Sequence, residues 1–478
     1  MRRDLLPLQV VVALLLALRL YYQLTADLFG DEAYYYLWSQ HLAWSYFDHP
    51  PLHALLIRII TTVLPGVLGL RALTWVTMAG VLAIFWGWSR KLAPEDPQRW
   101  FWTATAIYLA SPLFFGFTLI AYHDHLLILC TLAAISAFAL FIETKQWRWL
   151  YAAAVALGLA TLTKYSGALV GVGFLGTFVA RKDLRSLLRT PHPWLAALLA
   201  LAMQAPVVYW NLTEGLASIR FHFTTRWGPD AGVFHWWHPI RFVLLSLGVW
   251  SPFLIWPAIR MLRGRLSVPP FGAAARAASL WTLVASTIIL LVVATYLDAF
   301  FYWSIVGLVG VTALMASYTG RIALVLHLAF GVVCAALIVV NFAVIPIAAL
   351  QDGRDPGSAV NYGWNDIVEH MRAAEAKTPA DLVGGTGYSN SAQLSVALND
   401  PSVVDLSPIA SEFSYWFDPE AWAGKSALVL VGENDRPDEV AYITQHFATF
   451  VPVDDFQIIR FGHDIYRWRI FRGEGYRP

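Results

Sequence analysis

Charge is what this chain is short of. Only 14% of its 478 residues are Asp, Glu, Lys or Arg, against 58% hydrophobic, where a soluble domain carries about a quarter charged residues. That shortage argues against one large water-soluble core. Cysteine is scarcer still. Cys130 and Cys334 are the two present, both inside apolar runs, so neither a disulfide framework nor a cysteine metal cluster is indicated. The net charge of +1 carries no signal for nucleic acid, and none is expected as a partner. No cleavage-type small-residue motif follows the first apolar run, Leu5 to about Tyr22, so it reads as an uncleaved first span.

What is abundant is hydrocarbon. Apolar runs long enough to cross a bilayer recur from Leu5 to Ile345, and about eleven spans fit them. The expectation is an all-α polytopic membrane protein. The sparse cations collect at alternate connections: Arg2 and Arg3; Arg90, Lys91 and Arg99; Lys145 and Arg148; Arg181, Lys182, Arg185 and Arg189; Arg260, Arg263, Arg265 and Arg276; and Arg321. Because Lys and Arg accumulate on the cytoplasmic side, residues 24–67, 113–125, the Thr163–Gly167 turn, 211–239 and 298–302 face outward. Trp149–Ala180 then reads as a hairpin with "TKYSG" at its outer tip.

From Gln351 the pattern changes. Short β-type runs ("DLVGG", "SVVDL", "ALVLVG", "FATFVPV", "DIYRWRIF") alternate with helical ones ("WNDIVEHMRAAEA", "RPDEVAYITQHF"), the signature of a small α/β domain. The expected division is a transmembrane domain over 1–350 and an extracytoplasmic α/β domain over 351–478. "GGTGYSN" (384–390) lacks the GxGxxG spacing of a nucleotide loop and reads as a strand-to-helix turn.

The ionisable residues of interest fall on one side. Asp31 and Glu32 follow the first span, where Gly30 and Asp31 look like a helix N-cap and the aromatics up to Phe47 like an interfacial belt. "YFDHPPL" holds Asp48 and His49 on a proline-stiffened turn. Arg58 beyond it either snorkels or pairs with an anion. "AYHDHLL" sets Asp124 between His123 and His125, adjacent residues that cannot readily chelate one ion together. Lys164 sits at the hairpin tip, where a cation can neutralise a phosphate. Residues 211–239 add Arg220, His222, Arg226, His235 and His238 among Trp227, Trp236 and Trp237. Carboxylates that could activate a hydroxyl, cations that could steady an anionic leaving group, and rings for a sugar or lipid fit group transfer from a lipid phosphate.

With those residues in view, "GDEAYYYLWSQHLAWSYFDHPPLHALLIR" resembles the first outer loop of bacterial polyprenyl-phosphate-sugar glycosyltransferases of the GT-C superfamily. These include lipid A aminoarabinose transferases and, more distantly, protein O-mannosyltransferases. "LGLATLTKYSGALV", "AYHDHLLIL" and "YWSIVGL" resemble the family too, although its members often carry Pro where this chain has His123. The C-terminal domain matches only loosely, at "GYSNSAQLSVAL" and "SYWFDP".

The resemblance implies an inverting, single-displacement enzyme of the bacterial inner membrane that works on the periplasmic face. Its partners would be a polyprenyl-phosphate-linked sugar donor and a membrane lipid, glycan or protein acceptor. Asp31 would be the general base, with Glu32 orienting the acceptor or the base. Asp124 would be a second acidic residue of the site. Lys164, Arg58, His49, Asp48, Tyr165 and Arg226 would hold the donor's phosphate and sugar. No cofactor is implied, and a divalent metal stays open. A transporter or flippase would show an internal repeat and mid-depth charges, neither of which is visible. A non-catalytic lipid-binding protein is the other alternative.

Overall fold

Helices form wherever an apolar run must satisfy its own backbone hydrogen bonds away from water. The computed structural model describes residues 2–224, 226, 232–264 and 268–478; Trp227 and Arg265 lie outside them. The chain divides into two compact units, one of residues 1–19 and 43–336, the other of residues 20–42 and 337–478. These units do not coincide with the expected 1–350 and 351–478, since the main part of the second begins at Leu337. A short N-terminal segment, Leu20–Leu42, belongs with the C-terminal unit.

In chain order the helices are α1 (Leu6–Thr25), α2 (Gly30–Gln40), α3 (Leu52–Thr61), α4 (Gly66–Leu92), α5 (Pro97–Ala110), α6 (Pro112–Leu119), α7 (His123–Thr144), α8 (Trp147–Thr163) and α9 (Ala168–Ala180). There follow α10 (Pro191–Ala202), α11 (Ala205–Thr213), α12 (Ala217–Phe223), α13 (Trp237–Trp250), α14 (Ile255–Leu262), α15 (Pro270–Ala294), α16 (Ile305–Leu314) and α17 (Arg321–Val339). Among the described residues five helices are long and apolar enough to cross a membrane, or up to eight if each of three bent pairs makes one span. The exact count of eleven spans expected from hydropathy is not confirmed. Several apolar runs are broken at proline, or form helices too short to qualify, such as Leu52–Thr61 and Tyr165–Ala180.

The breaks are satisfied internally. Between α5 and α6 the chain turns by 75°, and after α13 by 86°. Ser111, at the first break, donates its hydroxyl to the Trp250 carbonyl at the second (2.8 Å), and the Trp250 indole donates to Thr312 (2.8 Å). A carbonyl freed by a broken helix thus finds a protein donor. Close helix approach elsewhere depends on small residues. A Cβ on Gly173 of α9 would lie 2.5 Å from the Thr282 Cα of α15.

The second unit is a five-stranded mixed sheet of order β2-β1-β3-β5-β4, with β1 (Leu382–Gly385), β2 (Val404–Asp405), β3 (Ala427–Gly432), β4 (Thr449–Arg460) and β5 (His463–Glu474). β1 pairs in parallel with β2 and β3, and β5 runs antiparallel to β3 and β4. Phe461 and Gly462, both at positive φ, make the two-residue turn that matches hairpin twist. Helices α18 (Trp364–Lys377), α19 (Gly387–Leu398) and α20 (Pro437–Gln445) complete the unit. Trp364, Ile367, Met371 and Leu394 pack with Leu428, Leu430 and Trp468 in one of its cores. All five β-type runs are strands, and "GGTGYSN" is the expected passage from β1 into α19.

Two acids tie down the loops after the parallel strands. Asp405 accepts from the Ser407 amide (3.0 Å) and the Ser411 hydroxyl (3.2 Å). Asp435 accepts from the Gly432 amide (2.6 Å) and from the Thr386 hydroxyl. Burial outweighs these bonds and raises both carboxyls from 3.8 to about 6. Between about pH 4 and 6 the fold holds protons that the unfolded chain has released, so stability falls as pH rises through that window. In thermal unfolding in detergent, the parent's midpoint should rise between about pH 7 and about pH 5 by more than that of Asp435→Asn, which is neutral throughout.

Candidate active site

The transmembrane unit gathers polar groups at one place, and the hairpin tip explains how. Helix α8 ends where the Lys164 amide donates to Ala160 (3.1 Å) and Lys164 itself turns extended. The Gly167 amide then bonds the Lys164 carbonyl (2.8 Å). A Cβ on Gly167 would lie 2.4 Å from the Ala160 carbonyl carbon, so only glycine closes the turn this tightly. The Lys164 ammonium is thereby aimed inward. It donates to both carboxylate oxygens of Asp124, at 2.9 and 3.0 Å, with the two side chains 11% and 3% exposed. It also stands 4.9 Å from the centre of the Tyr302 ring, which stacks on Phe117.

Beside this pair lie four imidazoles. His49 packs on His123 (4.3 Å between ring centres), His123 on His53 (4.5 Å), and His53 on His125 (5.2 Å). The Nε2 atoms of His53 and His125 are 3.3 Å apart, and Thr77 Oγ1 is 3.0 Å from His125 Nδ1. One ring of the His53–His125 contact donates and the other accepts, as neutral imidazoles allow. His49 is held well below its ordinary value of 6.5, first by desolvation and then by the positive fields of Lys164 and Arg226. A neutral ring in this position can donate or accept a hydrogen bond without adding charge.

The turn bearing Asp48 and His49 is fixed from α12. Ser218 donates to the Tyr46 carbonyl (2.8 Å) and His222 Nε2 to the Asp48 carbonyl (3.0 Å). Burial, and then Arg226, lower His222 to about 4, so it donates as a neutral ring at physiological pH. Tyr165 meets the His222 ring edge-on at 5.1 Å. Arg226 stacks over Trp303 at 4.7 Å and Phe221 at 5.7 Å.

Of the residues singled out in sequence, Asp124 and Lys164 are in direct contact. His49 lies within the electrostatic reach of Lys164 and of Arg226, and the Asp48 carbonyl and the Tyr165 ring meet His222. Arg58 is exposed on the last turn of α3. His53 and Tyr302 were not singled out. The signal for His53 was its position two residues past the "DHPP" turn, on the first turn of α3. Among the described residues no three or more His, Cys, Asp or Glu side chains are grouped to hold a metal ion.

Asp31 and Glu32 belong to the other unit, on α2. The helix begins at Gly30, with Phe29 at the N-cap. Asp31 is thus the second helical residue, not the cap read from sequence. Glu32 does the capping, its carboxylate accepting from the Phe29 amide (3.2 Å) while the residue is 0% exposed. Asp31 is half-buried, and Tyr388 donates to its Oδ1 at 3.0 Å. The expected interfacial belt is also corrected in part. Tyr34, Tyr35 and Trp38 are buried inside the unit, with Tyr34 against Tyr388 (4.6 Å) and stacked on Phe413.

Residues 48–210 match the family model of dolichyl-phosphate-mannose-protein mannosyltransferases. The matched stretch contains Asp48, His49, Arg58, Asp124, Lys164 and Tyr165. A curated relative, the lipid A galacturonosyltransferase RgtD of Rhizobium johnstonii, is 26% identical over 254 residues, which are 50% of this chain and 50% of that protein; the chain spans half the length of this relative. Among solved structures, ArnT from Cupriavidus metallidurans bound to undecaprenyl phosphate aligns with a TM-score of 0.65 at 15% identity, over 97% of each chain. The apo state of the same protein aligns at 0.63 and 15% identity, over 96% of this chain and 97% of that one. The GT-C resemblance read from the motifs is borne out, and the likeness to ArnT is one of fold.

Removing one member of a buried ion pair strands the other, at a cost of about 3–5 kcal/mol, whereas replacing both with apolar groups is often neutral. Lys164→Met is expected to lower the thermal midpoint in detergent markedly. Adding Asp124→Leu should restore most of that loss.

Proposed function

We propose that the chain is an integral-membrane glycosyltransferase of the bacterial inner membrane. It transfers a sugar, with inversion, from a polyprenyl-phosphate donor to a hydroxyl or phosphate of a periplasmic-side acceptor such as lipid A, another glycan or a protein. The observation that carries this reading is the Lys164–Asp124 pair. It is a cation held rigid and nearly dry beside neutral imidazoles, within the segment that matches a family named for a lipid-phosphate sugar donor. The names of the relatives, one acting on lipid A and one bound to undecaprenyl phosphate, agree with a lipid-phosphate donor and a cell-envelope acceptor.

The acceptor oxygen attacks the anomeric carbon while the bond from that carbon to the phosphate oxygen breaks. The phosphate leaves with the electron pair, still attached to its polyprenyl chain. Lys164 stabilises the charge that gathers on it, and does so without reorganising because Asp124 already fixes the ammonium. Arg226 and the neutral His49 complete the donor pocket with Tyr165 and the Asp48 turn, and Arg58 contacts the headgroup from α3. Asp31 takes the acceptor's proton, and Glu32 supports it by capping α2. A carboxylate early in a helix is a weak base, so positioning contributes more than basicity. The polyprenyl tail lies against the apolar groove lined by Phe138, Leu157, Phe174, Leu175, Trp194 and Leu201.

The test is transfer by the purified protein in lipid nanodiscs. Undecaprenyl-phosphate-linked galacturonic acid, aminoarabinose and hexoses serve as donors, and lipid A and other cell-envelope glycans as acceptors. One donor should be consumed, with Asp31→Asn slower by about 10²- to 10⁴-fold. No consumption of any donor, or an Asp31→Asn rate equal to the parent's, would sink the reading. The proposed orientation has its own check. Alkaline phosphatase fused after Pro478 should be active and the same reporter fused after Arg263 inactive, as the positive-inside distribution requires.

A further inference from the structure

The unit formed by residues 20–42 and 337–478 grips α2 at a series of points, and every one of them bears on where Asp31 sits. Before the helix, Asp27 accepts from the Gly363 amide (3.0 Å) and the Trp364 amide (3.4 Å), at the start of α18. Gln393 of α19 donates to the Leu28 carbonyl (2.5 Å). At the first helical residue, Gly30 lies against Ser389 so closely that a Cβ there would fall 1.6 Å from the Ser389 hydroxyl oxygen. One turn further on, the Tyr34 hydroxyl accepts from the Glu412 amide (2.6 Å). Beyond the end of the helix, His41 stacks on Trp416 (4.5 Å).

The Gly30–Ser389 contact sets the register of the two helices. Asp31 follows Gly30 and Tyr388 precedes Ser389, and this places the Tyr388 hydroxyl 3.0 Å from Asp31 Oδ1. The phenol is itself held, because its ring rests on Tyr34 at 4.6 Å, and Tyr34 is stacked on Phe413. A hydrogen bond from a fixed donor to one carboxylate oxygen restrains rotation of the carboxylate and so determines which way its basic lone pairs point. Asp31 is only half-buried, so it keeps a solvent-facing side on which a hydroxyl can approach.

We propose that Tyr388 is a positioning residue for Asp31, and that the α/β unit serves the transfer reaction by presenting this acid on α2 in a fixed orientation. The inference rests on the reading of Asp31 as the base. Tyr388 makes no bond to the substrate in this account. It acts through Asp31, and its loss should therefore change turnover without changing how the donor is held.

The experiment is a double-mutant cycle on the full-length protein in lipid nanodiscs. It uses the donor and acceptor pair found active in the panel above, with undecaprenyl phosphate alone as the binding probe. Tyr388→Phe keeps the ring and its packing and removes only the hydroxyl. Its kcat should fall about tenfold or more, as expected for a lost hydrogen bond to a charged group. The donor KM and the undecaprenyl phosphate affinity should stay within about twofold of the parent, within the usual spread of independent effects. In the Asp31→Asn background, where there is no base left to orient, Tyr388→Phe should add less than about twofold.

Parent-like kcat in Tyr388→Phe, with Asp31→Asn inactive, would overturn the inference and leave the base assignment standing. So would an equal loss in both backgrounds, or a loss of undecaprenyl phosphate affinity, since each marks damage that does not act through Asp31. Parent-like turnover in Asp31→Asn itself would remove the base assignment and this inference with it. That single variant tells the two failures apart.

Discussion

An ammonium and a carboxylate taken out of water together must meet at hydrogen-bond distance, because neither can be left without its counter-charge in a low-dielectric interior. Lys164 and Asp124 meet that condition with two bonds, and much of the transmembrane unit can be read as the means of meeting it. The glycine-closed tip between α8 and α9 delivers the lysine. The first turn of α7 delivers the aspartate, since Asp124 is its second residue. The neighbouring imidazoles add polar groups without adding charge. A ready-made cation of this kind has already lost its water, and a phosphate arriving beside it has that much less reorganisation to cause.

The second unit solves a different problem with different means. Its sheet is packed on an apolar core that includes Trp364, Ile367, Leu430 and Trp468. Yet it incorporates a helix from the chain's first tenth, and that helix carries the acid assigned to proton transfer. Glu32 illustrates how the local chemistry divides. Of two adjacent carboxylates, one is consumed by capping the helix and is 0% exposed, while the other stays half-open and takes a phenol as partner. Identical functional groups one residue apart on a helix face different directions, and so acquire different work.

The strands were readable because length, β-branched composition and flanking turn residues are local properties, and "ALVLVG" is a short valine-bearing run set between turn residues, as a buried strand is. The hairpin tip at Lys164 was readable for a similar reason, with apolar runs on either side and cations at both far ends. The exact span count was harder to read. Pro112 and Pro252 sit at sharp bends inside apolar stretches, and Leu52–Thr61 and Tyr165–Ala180 are apolar but short, so run length alone does not fix the number of crossings. The aromatics of α2 misled for the reason aromatics usually do, since an interfacial belt and a packed core call for the same rings.

By itself the sequence determined the membrane class, the side on which cations gather, the C-terminal α/β unit, and the shortlist of acids and cations from which any site had to be drawn. These follow from composition and short-range pattern. Only the tertiary structure decided which of them meet. Asp31 and Tyr388 are 357 residues apart, Lys164 and Asp124 are 40, and His53 and His125 are 72. The Gly30–Ser389 contact that sets the first pairing is visible only once two helices touch. Contacts of that separation depend on packing the whole unit, and no window of sequence holds both partners at once.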